Sequence, residues 1–407
     1  MRVLNFANVA GKIRGGGVHE VVYSFFRIQN TLNIDAHLWF PGFKSEEEEL
    51  QSDLKIEDKE KVKALDTFFN PNFGLLKSNS TVKKKILNYD IIHQHGIWLP
   101  ISKLSTFAKK HGKHLIIQPH GYLEQYSLGM STLKKKIMYY LFEKRNLTAC
   151  SILVGCSKRE VENIRELFPN KDIALIPNGV FREFIEAPII FKKKKEKKKI
   201  LYLSRVHPSK GIERMLIGFA SLPEKIKSKW EINIAGNGDL LYIKKLIEFS
   251  KDLQIIDSVH FLGSVFKKDK IELIDNCDLF ILPTYTENFG IVVIEALARS
   301  VPVLTTKGAP WEDLLKNNCG FWVENTQNGI NEGMLEALSC KKEKLTEMGK
   351  NGKKMVVKNY VWEDITLKTI ELYKWLFEEI NEKPAFVFSG DKSKKNPNIF
   401  NVVPFIK

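Results

Sequence analysis

Cysteine is scarce in this chain of 407 residues, which contains five, and no two of them stand in a Cys-x-x-Cys spacing. An odd set without that spacing argues against a disulfide framework and against a zinc site. We therefore interpret the cysteines as reduced and mostly buried apolar residues. They are Cys150, Cys156, Cys277, Cys319 and Cys340.

Long apolar runs are also missing. No stretch reaches the roughly 18 consecutive apolar residues that a membrane-spanning helix needs, and the apolar segment after Met1 is too short for a signal peptide. These absences lead us to expect a cytoplasmic protein. The Gly-x-Gly-x-x-Gly fingerprint is missing as well, because Gly236-Asn237-Gly238 lacks the third glycine, which disfavours a nicotinamide-dependent enzyme.

Short apolar runs, in contrast, recur along the chain and alternate with helical patterns. This alternation is typical of parallel sheets with crossover helices. With 43% hydrophobic residues, the chain is long enough for two α/β domains, each with its own core. The runs that we interpret as strands are 3–6, 91–93, 115–117, 152–154, 200–205, 232–235, 259–262, 278–283 and 301–304.

A block of like charge marks the predicted domain boundary. Residues 192–199 are seven lysines and one glutamate, which indicates a solvated linker; contact with anionic lipid or an acidic partner is the alternative interpretation. The C-terminal segment mixes Pro, Asn, Ser and Lys without a helical or strand period, so we expect it to be poorly ordered. The predicted parts are domains at 1–190 and 200–360, a linker at 191–199, a helix at 361–382 that returns to the first domain, and a tail at 383–407.

The most informative motif carries two glutamates around a glycine. It follows the apolar run 278–283, which ends in proline like a buried parallel strand and leads into a helical pattern. Gly290 lets backbone approach a phosphate, and the free N–H groups of the first helical turn favour an anion. Glu287 and Glu295 can accept hydrogen bonds from sugar hydroxyls on either side. The motif predicts a nucleotide-sugar site; two solvated glutamates at a helix start are the alternative.

Another apolar run, 200–205, ends in a cation, and a second cation follows it. Arg205 offers a planar fork to phosphate oxygens, and Lys210 acts as a movable point charge. Together they could neutralise a diphosphate leaving group. Each by itself would more often be a surface cation.

In this order and at roughly this distance, the cation pair and the glutamate pair resemble the retaining glycosyltransferases of family 4, whose fold is called GT-B. The resemblance extends from the N-terminal glycine loop to the segment near Trp362. It implies an α/β fold of two Rossmann-like domains that face a central cleft, with the acceptor in the first domain and the donor nucleotide in the second.

The resemblance also implies roles for single residues. Arg205 and Lys210 would bind the donor diphosphate, Glu287 would contact hydroxyls of the donor sugar, and Glu295 would hold the ribose. The family often has glycine where this chain has Asn288. Apart from glycine, asparagine is the residue that best tolerates unusual backbone angles. The implied donor-binding set is Arg205, Lys210, Gly236, Glu287, Asn288, Phe289, Gly290, Ile291 and Glu295.

The first domain supplies the acceptor side in this family. Gly16 and Gly17 belong to a glycine loop that we expect to open a helix over 18–30. His120 resembles the family's active-site histidine, which lies near the reacting sugar, and His95 is expected to line the acceptor pocket. The implied catalytic set is His120, Arg205, Lys210 and Glu287.

Other features of the first domain leave room for alternatives. His93 is expected to be a core histidine; a metal pair with His95 is the alternative, but no carboxylate or cysteine cluster completes it, so we expect no metal. The segment Pro177-Asn178-Gly179-Val180 resembles the family's interdomain hinge.

The net charge of +15 implies attraction to something acidic. Residues 133–144 combine apolar side chains at helical spacing with Lys134, Lys135 and Lys136. Such a helix either lies reversibly on an anionic membrane or packs its apolar side on the core of the first domain, and we favour the second arrangement.

The resemblance thus implies a metal-independent, cofactor-free retaining enzyme. It would transfer a hexose from a nucleotide sugar, with UDP favoured and GDP possible, to a saccharide acceptor, expected to be lipid-linked, in the biosynthesis of cell-surface polysaccharide such as lipopolysaccharide or O-antigen. A nucleotide-sugar epimerase of the same fold is one alternative. A basic nucleic-acid-binding protein is the other, but no nucleic-acid motif is found, so we expect no nucleic-acid partner.

Overall fold

A computed structural model describes residues 1–7, 12–54, 58–67, 80–99, 101–189, 197–265 and 267–402. The chain divides into two compact units. The N-terminal unit contains Met1–Asn178 together with Trp362–Lys407, and the C-terminal unit contains Gly179–Val361. The first crossing therefore falls within the predicted hinge segment and not in the lysine run.

The strands are short, and most of their residues are buried. They are β1 (Arg2–Ala7), β2 (Asp35–Pro41), β3 (Val62–Leu65), β4 (Ile91–His95), β5 (His114–Gln118), β6 (Ile152–Gly155), β7 (Ile173–Leu175), β8 (Lys198–Leu203), β9 (Trp230–Ala235), β10 (Val259–Gly263), β11 (Leu279–Leu282), β12 (Val303–Thr306), β13 (Gly320–Val323) and β14 (Val387–Phe388).

The helices fill the crossovers between these strands. They are α1 (Lys12–Thr31), α2 (Lys44–Asp53), α3 (Ser80–Ile86), α4 (Ser102–Lys110), α5 (Gln125–Gly129), α6 (Thr132–Met138), α7 (Lys144–Ala149), α8 (Lys158–Leu167), α9 (Arg182–Glu186), α10 (Ile212–Ala220), α11 (Glu224–Lys227), α12 (Leu240–Asp252), α13 (Lys267–Asp275), α14 (Ile291–Ala298), α15 (Asp313–Lys316), α16 (Gln327–Ser339), α17 (Lys342–Asn359), α18 (Trp362–Leu376) and α19 (Ile399–Val402). Short 3₁₀ turns lie at Lys59–Lys61, Pro208–Lys210 and Ile256–Ser258, and a π-helical turn at Tyr139–Glu143 separates α6 from α7.

Each unit is built on one sheet. The N-terminal sheet has the order β14-β7-β6-β5-β4-β1-β2-β3, and the C-terminal sheet has the order β10-β9-β8-β11-β12-β13. All neighbouring strands are parallel except β14, which runs antiparallel to β7. Every residue of β4, β11 and β12 is buried, as expected where helices cover both faces of a parallel sheet. Both units are thus Rossmann-like.

The polar histidine strand β4 lies in the middle of the N-terminal unit. Its neighbours β1 and β5 contribute Leu4, Phe6, Leu115 and Ile117 to the main core of this unit. Helix α18 packs on α1 within the same unit. Among the described residues, no helix is both long and apolar enough to cross a membrane.

Three expectations about local structure are wrong. The predicted glycine loop lies inside α1, so Gly16 and Gly17 are helical; a glycine costs about 1 kcal/mol in a helix, and the buried Val22 and Phe26 further along α1 offset this through packing. The predicted linker 191–199 overlaps β8, which begins at Lys198, while residues 190–196 lie outside the described part.

The third wrong expectation concerns the tail. Where it is described, the segment from Lys383 onward contains β14 and α19 rather than an irregular chain. Val387 pairs with Ala174 of β7, and Ile399 and Phe400 are buried in the main core. A few isolated apolar residues are enough to order this segment. Val387 pairs with the edge of the sheet, and Ile399 and Phe400 pack in the core, so no continuous apolar pattern is needed.

Candidate active site

The two cation and glutamate loops leave neighbouring strands of the C-terminal sheet. Arg205 follows β8 and Glu287 follows β11, and these strands are adjacent at the point where the strand order reverses direction. At such a switch point the chain leaves the two strands toward opposite faces, which opens a crevice at their carboxyl ends. Ligands of open α/β sheets bind there, so the topology places both motifs at a ligand-binding position.

Backbone hydrogen bonds tie the two loops together. The carbonyl of Ser209 accepts from the Tyr285 N–H at 3.0 Å and from Thr284 Oγ1 at 3.2 Å. Gly211, at φ +67°, passes so close that a Cβ there would lie 2.2 Å from the Pro283 carbonyl oxygen. Buried Arg214 donates to that same carbonyl at 2.7 Å. The loops therefore form one rigid platform.

Charges of opposite sign meet on this platform. Lys210 Nζ lies 2.5 Å from Glu287 Oε2, and the two side chains are 12% and 19% exposed. The Glu287 N–H also donates to the Gly308 carbonyl at 2.9 Å, which fixes the backbone that carries the carboxylate. Arg205 is exposed, and its carbonyl accepts from the buried Tyr202 hydroxyl at 2.8 Å. Its guanidinium thus faces solvent while its backbone is anchored.

Helix α14 begins directly behind the glutamate loop. Gly290 precedes it at φ +79°, where a Cβ would come within 3.1 Å of Glu287 Cγ. The side chain of Phe289 is buried and packs edge-on against Trp311, whose Nε1–H donates to the Phe289 carbonyl at 2.5 Å. Phe289 therefore anchors the turn, and only its backbone could reach a donor. Asn288 and Ile291 are half-buried beside it.

Glu295 lies one turn into α14 and is mostly buried. Its Oε1 pairs with Lys270 Nζ of α13 at 2.5 Å. Its Oε2 is buried and has no hydrogen-bond partner among the described residues. Buried polar atoms are nearly always satisfied, so this oxygen is a natural acceptor for a ligand hydroxyl. Sequence reasoning missed Lys270, because nothing in its local pattern distinguishes it from other helix lysines.

Close packing of the backbone explains why residue 236 is a glycine. It follows β9 at φ +144°, and a Cβ there would lie 1.8 Å from the Ser204 carbonyl oxygen. Only glycine allows the end of β9 to approach the end of β8 this closely. Gly236 thus allows the backbone conformation directly before Arg205.

A second polar cluster lies at the switch point of the N-terminal sheet. His93 and His95 lie on β4, His120 follows β5 after one intervening proline, and His95 Nδ1 is 3.1 Å from His120 Nε2. His95 is 1% exposed, and its other nitrogen is 3.4 Å from Asn5 Oδ1. Both ring nitrogens of His95 are thus engaged and its side chain supports His120, while its contact with an acceptor stays a prediction.

Burial keeps this cluster neutral. It lowers the pKa of His93 and the pKa of His120 to about 3, and the pKa of His95 falls well below its usual value. His93 is buried as expected and its Nδ1 lies 2.8 Å from the hydroxyl of Tyr373 in α18. No group of three His, Cys, Asp or Glu side chains within the described ranges could hold a metal ion.

The backbone of His120 is held in an uncommon conformation, at φ +55°. Buried Glu160 fixes the turn, since its carboxylate accepts from the Gly121 N–H at 2.6 Å and from the Cys156 N–H at 2.8 Å. Sequence reasoning missed Glu160, although a signal exists: Ser157-x-x-Glu160 is a helix-start signature, and Ser157 Oγ accepts from the Glu160 N–H.

The basic segment at 133–144 exposes the apolar side that we expected to be buried. Its apolar side does not pack on the core: Leu133 is 74% exposed and Leu141 is 71% exposed. The π-helical turn shifts the register so that Tyr139 and Glu143 are buried instead. We call the result the apolar surface of α6; its members are Tyr126, Met130, Leu133, Ile137, Tyr140 and Leu141.

Comparison with known proteins covers both units. Residues 15–184 match the model described as Glycosyltransferase Family 4, and residues 184–355 match the model described as Glycosyl transferases group 1. An uncharacterised glycosyltransferase of Methanocaldococcus jannaschii is 25% identical over 314 residues, which are 71% of this chain and 76% of that protein. The lipopolysaccharide glucosyltransferase WaaG of Escherichia coli is 28% identical over 183 residues, which are 44% of this chain and 42% of that protein.

Solved structures agree in fold. A sucrose-phosphate synthase from Thermosynechococcus elongatus matches with a TM-score of 0.70 at 16% identity, over 93% of this chain and 100% of that chain. The HepE protein of Anabaena, in complex with UDP and glucose, matches with a TM-score of 0.68 at 17% identity, over 92% of this chain and 100% of that chain.

Proposed function

The chain belongs to the glycosyltransferases of the group 1 and family 4 type and has the GT-B fold, and from this premise we propose that it transfers a hexose from a nucleotide sugar to a saccharide acceptor with retention at the anomeric carbon. The donor binds to the C-terminal unit and the acceptor to the N-terminal unit. The pair formed by Lys210 and Glu287 carries the proposal, since it places a phosphate-binding cation beside a hydroxyl-binding carboxylate.

The chemistry follows from this arrangement. The bond between the anomeric carbon and the diphosphate oxygen breaks while Arg205, Lys210 and the first amides of α14 neutralise the departing charge; each such donor is worth about 3 kcal/mol. The acceptor oxygen bonds to the anomeric carbon on the same face, and its proton passes to the leaving phosphate oxygen. Glu287 orients the sugar, Glu295 accepts from the ribose through its unpaired Oε2, and His120 contacts a sugar hydroxyl. The reaction needs no metal or further cofactor.

The donor is a UDP-sugar in this proposal. The support is indirect: HepE, a protein of the same fold, is described in complexes with UDP, glucose and UDP-glucose, and WaaG is named a glucosyltransferase. A GDP-sugar is the second candidate.

The acceptor is a lipid-linked saccharide, as in the biosynthesis of lipopolysaccharide or another cell-surface polysaccharide. Two observations support it. WaaG acts on lipopolysaccharide by its name, and the apolar surface of α6 is flanked by exposed Lys134 and Lys144, which is the arrangement that binds anionic membrane surfaces. The enzyme then works at the inner face of the cell membrane through reversible contact.

A thermal-shift screen against UDP-, GDP-, ADP- and dTDP-sugars tests the donor. A ligand at one hundred times its Kd stabilises the fold by about 2.7 kcal/mol, so one base should raise the unfolding temperature clearly above the others. Incubating that donor with and without a lipid-linked acceptor then separates a transferase from an epimerase, which would convert the donor without acceptor. No shift with any nucleotide sugar, together with salt-sensitive retardation of random DNA, would favour the nucleic-acid alternative instead.

A further inference from the structure

A continuous series of hydrogen bonds leads from His120 into the N-terminal sheet. From His120 it passes to His95 on β4 and then to Asn5 on β1. Both supporting side chains are buried, Asn5 at 0% exposure and His95 at 1%. We propose that Asn5 and His95 are positioning residues that hold His120 as the tautomer protonated on Nε2, so that its bare Nδ1 accepts a hydrogen bond from a hydroxyl of the sugar substrate. This inference rests on the proposed function for the identity of that hydroxyl.

A backbone carbonyl determines which group donates in each of these hydrogen bonds. The side-chain Nδ2 of Asn5 lies 3.3 Å from the carbonyl oxygen of His37, which can only accept. Asn5 must therefore point its amide nitrogen toward that carbonyl. The same Nδ2 lies 2.6 Å from Gln29 Oε1, which agrees with this orientation. The carbonyl oxygen of the Asn5 side chain then faces His95, and it too can only accept.

The orientation of Asn5 passes to the two histidines. Because Asn5 Oδ1 accepts, His95 Nε2 must carry the proton. A neutral imidazole has one N–H group, so His95 Nδ1 must accept, and its partner at 3.1 Å, His120 Nε2, must donate. A neutral His120 is then left with a lone pair on Nδ1.

Neutrality is supported by the surroundings. The rings of Phe25, His93 and His120 pack against His95, so its close ring neighbours offer no carboxylate. Burial is also the main cause that lowers the pKa of His95 and the pKa of His120. Both imidazoles are therefore neutral at physiological pH.

The tautomer matters for recognition. Glu160 holds the turn after His120, so the ring presents a fixed edge. With the proton on Nε2, Nδ1 accepts from a sugar hydroxyl and leaves the oxygen of that hydroxyl richer in electron density. With the proton on Nδ1 the same edge could only donate, and the substrate contact would be lost.

A neighbouring residue provides a matched control. His93 is as buried as His95, and their rings stack with centroids 4.3 Å apart. Its hydrogen bond, however, goes to the Tyr373 hydroxyl, which in turn accepts from Gln29. His93 does not lie between Asn5 and His120, although Tyr373 and Gln29 connect it to the amide nitrogen of Asn5.

The experiment reads the proton directly. The intact protein is labelled with ¹⁵N-histidine, the His120 signals are assigned with His120→Gln, and long-range ¹H–¹⁵N spectra report which ring nitrogen is protonated. In the wild type we expect His120 to carry its proton on Nε2. A wild-type His120 protonated on Nδ1, or a mixture of tautomers, overturns the inference without any variant.

Asn5→Asp should invert the tautomer with little change in volume, although its second oxygen replaces the donor to Gln29 and to the His37 carbonyl. The new carboxylate favours a charged His95, both of whose nitrogens donate, so His120 Nε2 must accept and its proton moves to Nδ1. We expect kcat to fall at least about tenfold, the equivalent of one lost hydrogen bond, with donor affinity unchanged. His93→Phe should leave the tautomer and kcat near wild type even if it lowers the unfolding temperature.

The possible results separate the inference from the proposed function. The wild-type spectrum is recorded without substrate, so it stands even if no nucleotide sugar supports transfer, in which case only the proposed function fails. If the enzyme transfers sugar but Asn5→Asp inverts the tautomer with kcat intact, the inference fails alone. If Asn5→Asp does not fold, His95→Phe replaces it: this variant should lose the single Nε2 tautomer, and retention of that tautomer would overturn the role of His95.

Discussion

Lys210 combines two tasks in one side chain. It pairs with Glu287, and in the proposed mechanism it neutralises the leaving diphosphate. We expect Lys210→Ala to lower turnover by roughly 10² to 10³, since one donor to developing charge is removed. Exposed Arg205 should give a similar loss as Arg205→Ala. Steady-state rates with saturating donor measure both.

The matched control for Lys210 is Lys316→Ala. Lys316 also pairs with a glutamate, Glu312 at 2.7 Å, but on the surface of the same unit and away from the strand ends. Its removal should leave turnover unchanged. Near-wild-type turnover in both Lys210→Ala and Arg205→Ala would remove the cation pair from the mechanism.

The two glutamates should behave differently. Glu295 keeps a buried oxygen without a partner, so Glu295→Gln should weaken binding of the free nucleoside diphosphate by about 1–3 kcal/mol, the cost of a lost charged hydrogen bond. Glu287→Gln should leave that affinity near wild type and lower kcat, because in the proposed mechanism Glu287 contacts the transferred sugar. Calorimetric titration with UDP measures the first effect. Equal losses of UDP affinity in both variants would contradict the assignment.

At the scale of elements, β4 carries the histidine cluster, and its stability should depend on pH. The unfolded chain protonates each histidine near pH 6.5, whereas folded His93 and His120 stay neutral down to about pH 3. The unfolded state therefore binds more protons in this window, and the free energy of unfolding falls as the pH drops below 6.5. Each fully shifted histidine contributes up to about 1.4 kcal/mol per pH unit.

One buried carboxylate in the same unit acts with the opposite sign. Burial raises the pKa of Glu143 from 4.5 to about 7. Its contribution to the free energy of unfolding therefore grows as the pH falls from about 7 toward 4.5, the pKa in the unfolded chain. A single carboxylate opposes the histidines His93, His95 and His120, and we expect the histidines to dominate.

Hydrogen exchange measures this balance. Opening free energies for the amides of β4, corrected for the intrinsic rate of exchange, should decrease between pH 6.5 and about pH 5. Strand β11 of the other unit has no buried histidine and serves as the internal reference. His93→Phe should flatten the dependence in β4, and a β4 response no steeper than that of β11 would show that the cluster is not destabilised by acid.

The sequence patterns predicted nine of the fourteen strands that the structure describes. All nine apolar runs correspond to strands of the structure, and the GT-B fold is confirmed. Strands β2, β3, β7, β13 and β14 were not predicted, because His37 and Lys63 interrupt the apolar pattern of the first two and the other three have four residues or fewer. The long helix expected at 133–144 is broken by the π-helical turn, which helical spacing alone does not reveal.

The candidate site residues also divide into those that a local pattern predicts and those that it does not. Arg205, Lys210, Glu287 and Glu295 were identified because strand ends and a helix start determine where such side chains can point, and the structure gathers them in one unit. Lys270 and Asn5 were not identified, since their partners are distant in sequence and meet only after folding. Local patterns report local geometry; a polar residue that pairs across the fold leaves no spacing to detect.

At the scale of the whole molecule, the net charge of +15 and the apolar surface of α6 point to the same partner. Large exposed apolar patches normally mark interaction sites, and six exposed apolar side chains fall within residues 126–141. Not all neighbouring lysines can contribute equally: Lys135 donates to the Ser127 carbonyl and Lys136 lies over the Phe400 ring, so both are partly buried. Lys134, Lys144 and Arg145 are exposed cations of the same segment.

Cosedimentation with vesicles tests membrane contact by this surface. Anionic vesicles should pull down the protein at low salt and neutral vesicles should not, because each cation near the surface contributes about 1 kcal/mol and is screened over roughly 10 Å at 0.1 M salt. Changing Lys134, Lys144 and Arg145 to Gln should reduce the bound fraction, as should Leu133→Ser with Leu141→Ser, while donor affinity stays constant. The control triple changes exposed Lys84, Lys85 and Lys110 to Gln and removes the same charge from the same unit. If both triples reduce binding equally and the leucine variants have no effect, net charge alone is responsible and the apolar surface of α6 is not the docking site.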